Sequence, residues 1–167
     1  MLIRAHLVHV STASAIFLGQ KTYTLDSKSR VSVQPSWRPE NGSDVVLVYG
    51  KSDGVPMIKV VTPEQLAAHR AKIAASQAMN EAEKTAKRRN LAARCWEGSI
   101  NEQGKLLIPR ELCDRLGLQP ETEILQIGCD EYFEIWKKAD FHEDSQLNLN
   151  ETSKQTSYVA NDDVGGL

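Results

Sequence analysis

Three side chains in one short segment have the types and the spacing of a nucleic-acid contact. Asp26, Lys28 and Arg30 alternate with serines, and Asp26 can hydrogen-bond its own turn and pair with Arg30. A guanidinium can read guanine through two hydrogen bonds, and a lysine ammonium binds phosphate as a point charge. These side-chain types suit a DNA contact in which Arg30 meets a base, Lys28 meets a phosphate and Asp26 holds the arginine, and the expectation that they make one rests on the repeat and the family resemblance described below. The alternative is a surface ion pair that only pins the turn.

The same turn occurs again 75 positions further along the chain. The segment 23–35 (YTLDSKSRVSVQP) aligns with 98–110 (GSINEQGKLLIPR), so that Asn101 replaces the aspartate and Lys105 replaces the arginine. An ammonium lacks the planar fork that reads guanine, so we expect Lys105 to contact a phosphate.

The residues around each turn predict a repeated unit of hairpin, connector and hairpin. Apolar residues alternate with polar ones on both sides of the turns, as half-buried strands require. The second pair of strands is predicted at 44–49 and 57–61 in one copy and at 123–127 and 132–136 in the other. The second connector is predicted to be helical from Pro109 through Leu116 and to end at Gly117. The first connector, 36–43, is predicted to be irregular.

An alanine-rich segment between the copies predicts two helices, or one kinked helix, over 63 to about 93. Thr62 with Gln65 and Asn80 with Glu83 have the spacing of capping boxes. A basic run follows the second start, and it consists of Lys84, Lys87, Arg88 and Arg89. A solvated helix face is the ordinary interpretation of such a run. The functional alternative is that Arg88 and Arg89 contact phosphates or a neighbouring subunit.

Composition narrows the classes of function. Residues 1–93 carry 13 basic and 7 acidic side chains and residues 94–167 carry 7 and 15, so the first half would lead towards a polyanion. No apolar run approaches the roughly 18 residues of a transmembrane helix. The three cysteines and four histidines are scattered without ligand spacing, so we expect reduced thiols in a cytoplasmic protein. We expect no metal, cofactor, small-molecule substrate or catalytic residues.

The residues around the two turns resemble the MraZ family of regulators, whose halves each belong to the AbrB-like (SpoVT/AbrB) superfamily. The resemblance covers about Phe17 to Asp144, through the segments FLGQKTYTLDSKSRVSV, INEQGKLLIPRELCDRLGL and EILQIGCDEYFEIW. It implies a mainly β fold with helices (α+β), in which two tandem swapped-hairpin half-barrels form one pseudo-twofold barrel. The expected division is an extension (1–15), AbrB-like domain 1 (16–62), a helical connector (63–93), AbrB-like domain 2 (94–144) and a disordered tail (145–167).

The resemblance also implies a function. The family binds repeated double-stranded promoter sites of the division and cell-wall gene cluster as a ring-like homo-oligomer, and presents the arginine of its turn to DNA. We therefore expect a sequence-specific transcriptional regulator, a repressor, in the cytoplasm and at the nucleoid. The alternative is an AbrB-like antitoxin or protein-interaction module. Ser29 departs from the glycine usual in the family, and a positive φ there would cost on the order of 1 kcal/mol.

Large apolar residues near the end of the second copy bear on assembly. Trp96, Phe133 and Trp136 lie beside aliphatic residues on predicted strands, which favours core or subunit interface over stacking on bases. We expect apolar surface such as Ile135 and Trp136 to need cover on one chain, and the protein to assemble beyond a dimer through its strand edges and middle helices.

Overall fold

The computed structural model describes residues 16–39 and 42–143. The strands in this part are β1 (Gln20–Thr24), β2 (Arg30–Ser32), β3 (Ser43–Ser52), β4 (Val55–Val61), β5 (Cys95–Ile100), β6 (Lys105–Leu107), β7 (Glu123–Gly128) and β8 (Phe133–Lys137). The helices are α1 (Pro63–Ala75), α2 (Glu81–Ala93) and α3 (Arg110–Leu116), with single 3₁₀ turns at Pro35–Trp37 and Lys138–Asp140. The predicted extension (1–15) and the predicted tail (145–167) both lie outside the described residues.

The two repeats exchange strands in one antiparallel sheet. The strand order is β1-β7-β8-β4-β3-β5-β6-β2, so β1 pairs with β7, β5 with β3, and β2 with β6. Swapping the repeats exchanges the β1–β7 pair with the β5–β3 pair and maps the β2–β6 pair onto itself, which gives the sheet a pseudo-twofold axis. The expected α+β fold with a swapped-hairpin, pseudo-twofold barrel is confirmed.

The first strand pair of each repeat does not form the self-contained hairpin that the sequence suggested. Backbone bonds close each turn, from Asp26 N to Arg30 O at 2.9 Å and from Asn101 N to Lys105 O at 3.0 Å. Beyond them β1 pairs with β7, while β5 meets β6 only at Ile100. The alternation of apolar and polar residues specifies which face of a strand is buried, but not which strand it pairs with. A partner strand from the other repeat fits the same alternation equally well.

The barrel interior holds the main hydrophobic core. Val31 and its counterpart Leu106 are paired across β2 and β6, and neither side chain is exposed. Trp37 and Phe133 pack with ring centroids 5.3 Å apart, which confirms the core interpretation of Phe133. The 3₁₀ turn at Pro35–Trp37 and the helix α3 both add side chains to this core. As predicted, α3 ends at Gly117, whose φ is +66°.

The two helices between the repeats begin as predicted. Both capping boxes are present, Thr62 with Gln65 and Asn80 with Glu83. The helices cover the outside of β3 and β4, where Ile73 of α1 and Leu91 of α2 pack on valines 46, 48 and 61. No helix in the described ranges is long and apolar enough to cross a membrane.

The expectation that Ile135 and Trp136 form exposed apolar surface is wrong. Ile135 points into the barrel and is fully buried, and Trp136 is only 2% exposed. Trp136 packs outside the barrel on Met57, Leu125 and Phe141, and its Nε1 donates to Glu134 at 2.9 Å. The chain thus supplies its own cover at this place.

Two adjacent leucines of β6 test the alternation directly. Leu106 is fully buried and Leu107 is 54% exposed. We expect Leu106→Ala to lower the free energy of unfolding by about 2 to 5 kcal/mol, because it leaves a cavity in a packed core. Leu107→Ala should change it by less than about 0.5 kcal/mol. Urea denaturation of both variants measures this, and equal losses would contradict the register of β6.

Candidate nucleic-acid interface

The two repeated turns share one hydrogen-bond pattern. Asp26 Oδ1 accepts from the backbone N–H groups of Lys28 and Arg30, at 2.8 and 2.9 Å. Asn101 Oδ1 accepts in the same way from the residues two and four positions on, at 3.0 and 2.9 Å. The position before the cation is left-handed in both turns, with φ of +60° at Ser29 and +73° at Gly104. The turns, called tip 1 (26–29) and tip 2 (101–104), are therefore structurally equivalent.

The second oxygen of Asp26 distinguishes tip 1 from tip 2. Arg30 Nε donates to Asp26 Oδ2 at 2.9 Å, and the arginine side chain is 37% exposed. This contact orients the guanidinium, whose remaining donors are its two terminal nitrogens. The pKa of Asp26 is lowered, chiefly by the backbone N–H of Arg30 and further by the Lys28 N–H and the Arg30 guanidinium. Tip 1 thus holds an ionised carboxylate against an arginine.

The pairing of β2 with β6 brings both cations onto one surface. Arg30 lies opposite Leu107, and Ser32 lies opposite Lys105, while the residues between them point into the core. Lys105 Nζ donates to Ser32 Oγ at 2.6 Å. The outward face of this two-stranded β2–β6 ribbon therefore carries Arg30, Ser32, Lys105 and Leu107. Two strand positions separate the cations, or about 7 Å along the ribbon.

Sequence reasoning missed three members of this surface. Alternation along β2 and β6 could have placed Ser32 beside Arg30, and Leu107 beside Lys105. Arg38 also lies here, since its Nε donates to the Val33 carbonyl at 2.6 Å and its side chain lies against Gly104 of tip 2. No local pattern reveals that contact, because it joins the two repeats.

The remaining predicted cations lie in different places. Lys28 is exposed on tip 1, next to the ribbon. Arg88 and Arg89 are exposed on α2, which packs with α1 over β3 and β4. In the strand order, β3 and β4 are separated from the β2–β6 pair by β5. The structure does not bring the Arg88–Arg89 pair to the ribbon.

The cysteines and the possible metal ligands of the described residues form no comparable surface. Burial raises the pKa of the thiols of Cys95, Cys113 and Cys129, that of Cys129 to about 12, so all three are protonated at neutral pH. Within residues 16–39 and 42–143, no three His, Cys, Asp or Glu side chains form a group that could hold a metal ion. The candidate functional surface is the β2–β6 ribbon, because its outward face brings Arg30 and Lys105 together.

This fold and surface define an AbrB-like swapped-hairpin protein. The family model described as "MraZ protein, putative antitoxin-like" matches residues 96–160. The transcriptional regulator MraZ of Desulfosudis oleivorans is 32% identical over 139 residues, which cover 81% of this chain and 88% of that protein. The protein of the same name from Corynebacterium jeikeium is 31% identical, over 72% of this chain and 80% of that protein. The chain belongs to the MraZ family, whose matched members are named transcriptional regulators.

The tip 1 carboxylate predicts a measurable titration. In an NMR titration we expect the Asp26 carboxyl to have a pKa below its ordinary value of 3.8. The stability that the ionised Asp26 contributes is then fully present when the pH is above the ordinary pKa. It is lost as the pH falls through the lower pKa of the folded state. Arg30→Ala should raise the pKa only part of the way back, because the backbone N–H remains. A value at or above the ordinary one would contradict the tip geometry.

Proposed function

We propose that the protein is a sequence-specific DNA-binding transcriptional regulator, a repressor, that contacts duplex DNA through the β2–β6 ribbon. The observation that carries the proposal is the outward face on which Arg30 and Lys105 lie together. The major groove of B-DNA, about 12 Å wide, admits a two-stranded β-ribbon. In this proposal each AbrB-like domain, 16–62 and 94–144, contributes one tip and one strand of the ribbon.

The contacts of each side chain support a division of roles. Arg30 reads guanine with its terminal nitrogens, because Asp26 already holds its Nε. Lys28 and Lys105 contact phosphates, and Ser32 keeps the Lys105 ammonium at the ribbon. Leu107, apolar and exposed among these groups, contacts a thymine methyl. Asp26 acts through Arg30 rather than on DNA.

The charge of the chain favours binding by several subunits. The net charge is -2, and one ribbon offers few phosphate contacts, so affinity must come from several subunits on repeated sites. We propose a ring-like homo-oligomer on repeats in the promoter of the division and cell-wall gene cluster, which includes its own gene. This places the protein at the nucleoid in the cytoplasm. Arg88 and Arg89 are proposed to lie at a subunit interface or to contact flanking phosphates.

DNA binding to the promoter of its own gene tests the proposal. Arg30→Ala should weaken binding by about 1 to 3 kcal/mol per engaged subunit and relax the base preference at one position. Lys105→Ala should weaken binding to promoter and scrambled DNA alike and flatten the salt dependence. Asp26→Asn is the matched control for tip geometry, because tip 2 makes the same backbone bonds with an asparagine.

The results of this comparison distinguish side chains that contact DNA from side chains that only hold the turn. Asp26→Asn should fold like wild type yet lose part of the base preference, since its amide nitrogen cannot accept from Arg30 Nε. If Arg30→Ala, folded and oligomeric, binds the promoter as tightly and selectively as wild type, the arginine only pins its turn.

Assembly gives a separate prediction. Apart from Leu107, the large apolar side chains most exposed in the described part are Ile16 and Leu18, at 61% and 66%. Covering them favours association with a neighbouring chain. Light scattering at micromolar concentration should give a mass several times 18.6 kDa. A monodisperse monomer would contradict the ring.

A further inference from the structure

Arg38 is fixed in place by three neighbouring features. Trp37, just before it, is buried in the barrel core at 4% exposure. Arg38 Nε donates to the Val33 carbonyl, and the Val33 N–H donates to the Gly104 carbonyl at 2.8 Å. A Cβ added to Gly104 would collide with Nε and Cδ of Arg38 and lie 2.6 Å from its Cζ. The guanidinium therefore rests on tip 2, in space that only a glycine leaves open.

The equivalent contact at tip 1 is neutral. The residue 75 positions after Arg38 is Cys113, and its thiol donates to the carbonyl of Ile108, the counterpart of Val33, at 3.5 Å. Tip 1 thus combines a serine, a small thiol and its own arginine. Tip 2 combines a glycine, a lysine in place of its own arginine, and an arginine from the other repeat.

Each tip consequently carries one guanidinium, anchored in the same manner. Arg30 is held through Nε by the Asp26 carboxylate at 2.9 Å, and Arg38 is held through Nε by the Val33 carbonyl at 2.6 Å. In both, the remaining donors are the two terminal nitrogens, the pair that can bind a guanine edge side by side. The nearest residues of the two tips, Ser29 and Gly104, are four strand positions apart along the ribbon, which is about 14 Å or about four base-pair steps.

We propose that Arg38 is a second specificity-determining residue of the DNA surface, which reads a base from tip 2, and that Gly104 is its positioning residue. This inference rests on the proposed DNA-binding function. It replaces the view that tip 2, with only Lys105, contributes phosphate contacts alone. A guanidinium with its Nε already bonded loses little further freedom when it meets a base, which suits it to selective reading.

The experiment measures binding to wild-type promoter DNA, to scrambled DNA and to a set of singly substituted promoter duplexes at several salt concentrations. Arg38→Ala should weaken promoter binding by about 5- to 150-fold per engaged subunit and abolish preference at a position different from the one that Arg30→Ala affects. Arg38→Lys should keep the salt dependence and lose the same preference, since lysine keeps the charge without the fork.

Gly104→Ser tests the positioning role without touching the arginine. Tip 1 already holds a serine at φ +60°, so this variant should fold, and the added side chain should displace Arg38. It should therefore lose the same base preference as Arg38→Ala, with Lys105 unchanged. Arg70→Ala on α1 is the charge-matched control and should keep the wild-type preference. Thermal melts show whether each variant is folded. If Gly104→Ser is unfolded, the two Arg38 variants alone decide whether Arg38 reads a base.

Two results would overturn the inference, and they are distinguishable. If Arg30→Ala loses selectivity while both Arg38 variants keep wild-type affinity and preference, Arg38 only caps tip 2, and the proposed function stands. If wild type does not prefer its promoter over scrambled DNA, the proposed function fails and the role of Arg38 fails with it.

Discussion

The pairing of β2 with β6 is the contact on which the rest of the molecule depends. Val31 and Leu106, equivalent residues of the two repeats, face each other across it, and both are fully buried. The inward side chains tie the ribbon to the barrel core, and the outward ones are left to form a surface. Because the two strands come from different repeats, one short ribbon carries the turns of both. A cation from each repeat can therefore act on a single ligand.

The two tips show how one backbone geometry can carry different chemistry. An aspartate and an asparagine close the two turns with the same backbone bonds, but only the aspartate retains an oxygen for Arg30. Tip 2 compensates through packing, since Gly104 leaves room for Arg38 from the opposite repeat. The pseudo-twofold symmetry of the barrel thus gives the two tips equivalent backbone positions, while their side chains differ.

The local features of the fold were predictable from sequence because they depend on neighbouring residues. Thr62 with Gln65, Asn80 with Glu83, and Gly117 after α3 lie where capping chemistry requires them. The strand exchange did not follow from alternation and came from the family resemblance alone. Burial of Trp136 was missed because its cover includes Phe141, which lies beyond the strand pattern.

The candidate site was predictable to a similar extent. Asp26, Arg30 and Lys105 were identified from the repeated turn, since their spacing is local. Their convergence on one ribbon, and the position of Arg38 on tip 2, depend on pairing between residues far apart in sequence. The predicted patch of Arg88 and Arg89 lies with the helices on β3 and β4, away from the ribbon, and its role as a phosphate contact or a subunit interface stays a prediction.

Hydrogen exchange measured by mass spectrometry on the full chain, with and without its own promoter duplex, tests the central claim most directly. Exchange reports where backbone amides become protected on binding. The account predicts that added protection is concentrated in peptides covering 26–34 and 101–108, the two tips and the ribbon between them. Protection concentrated on α1 and α2, with these two segments unchanged, would contradict it.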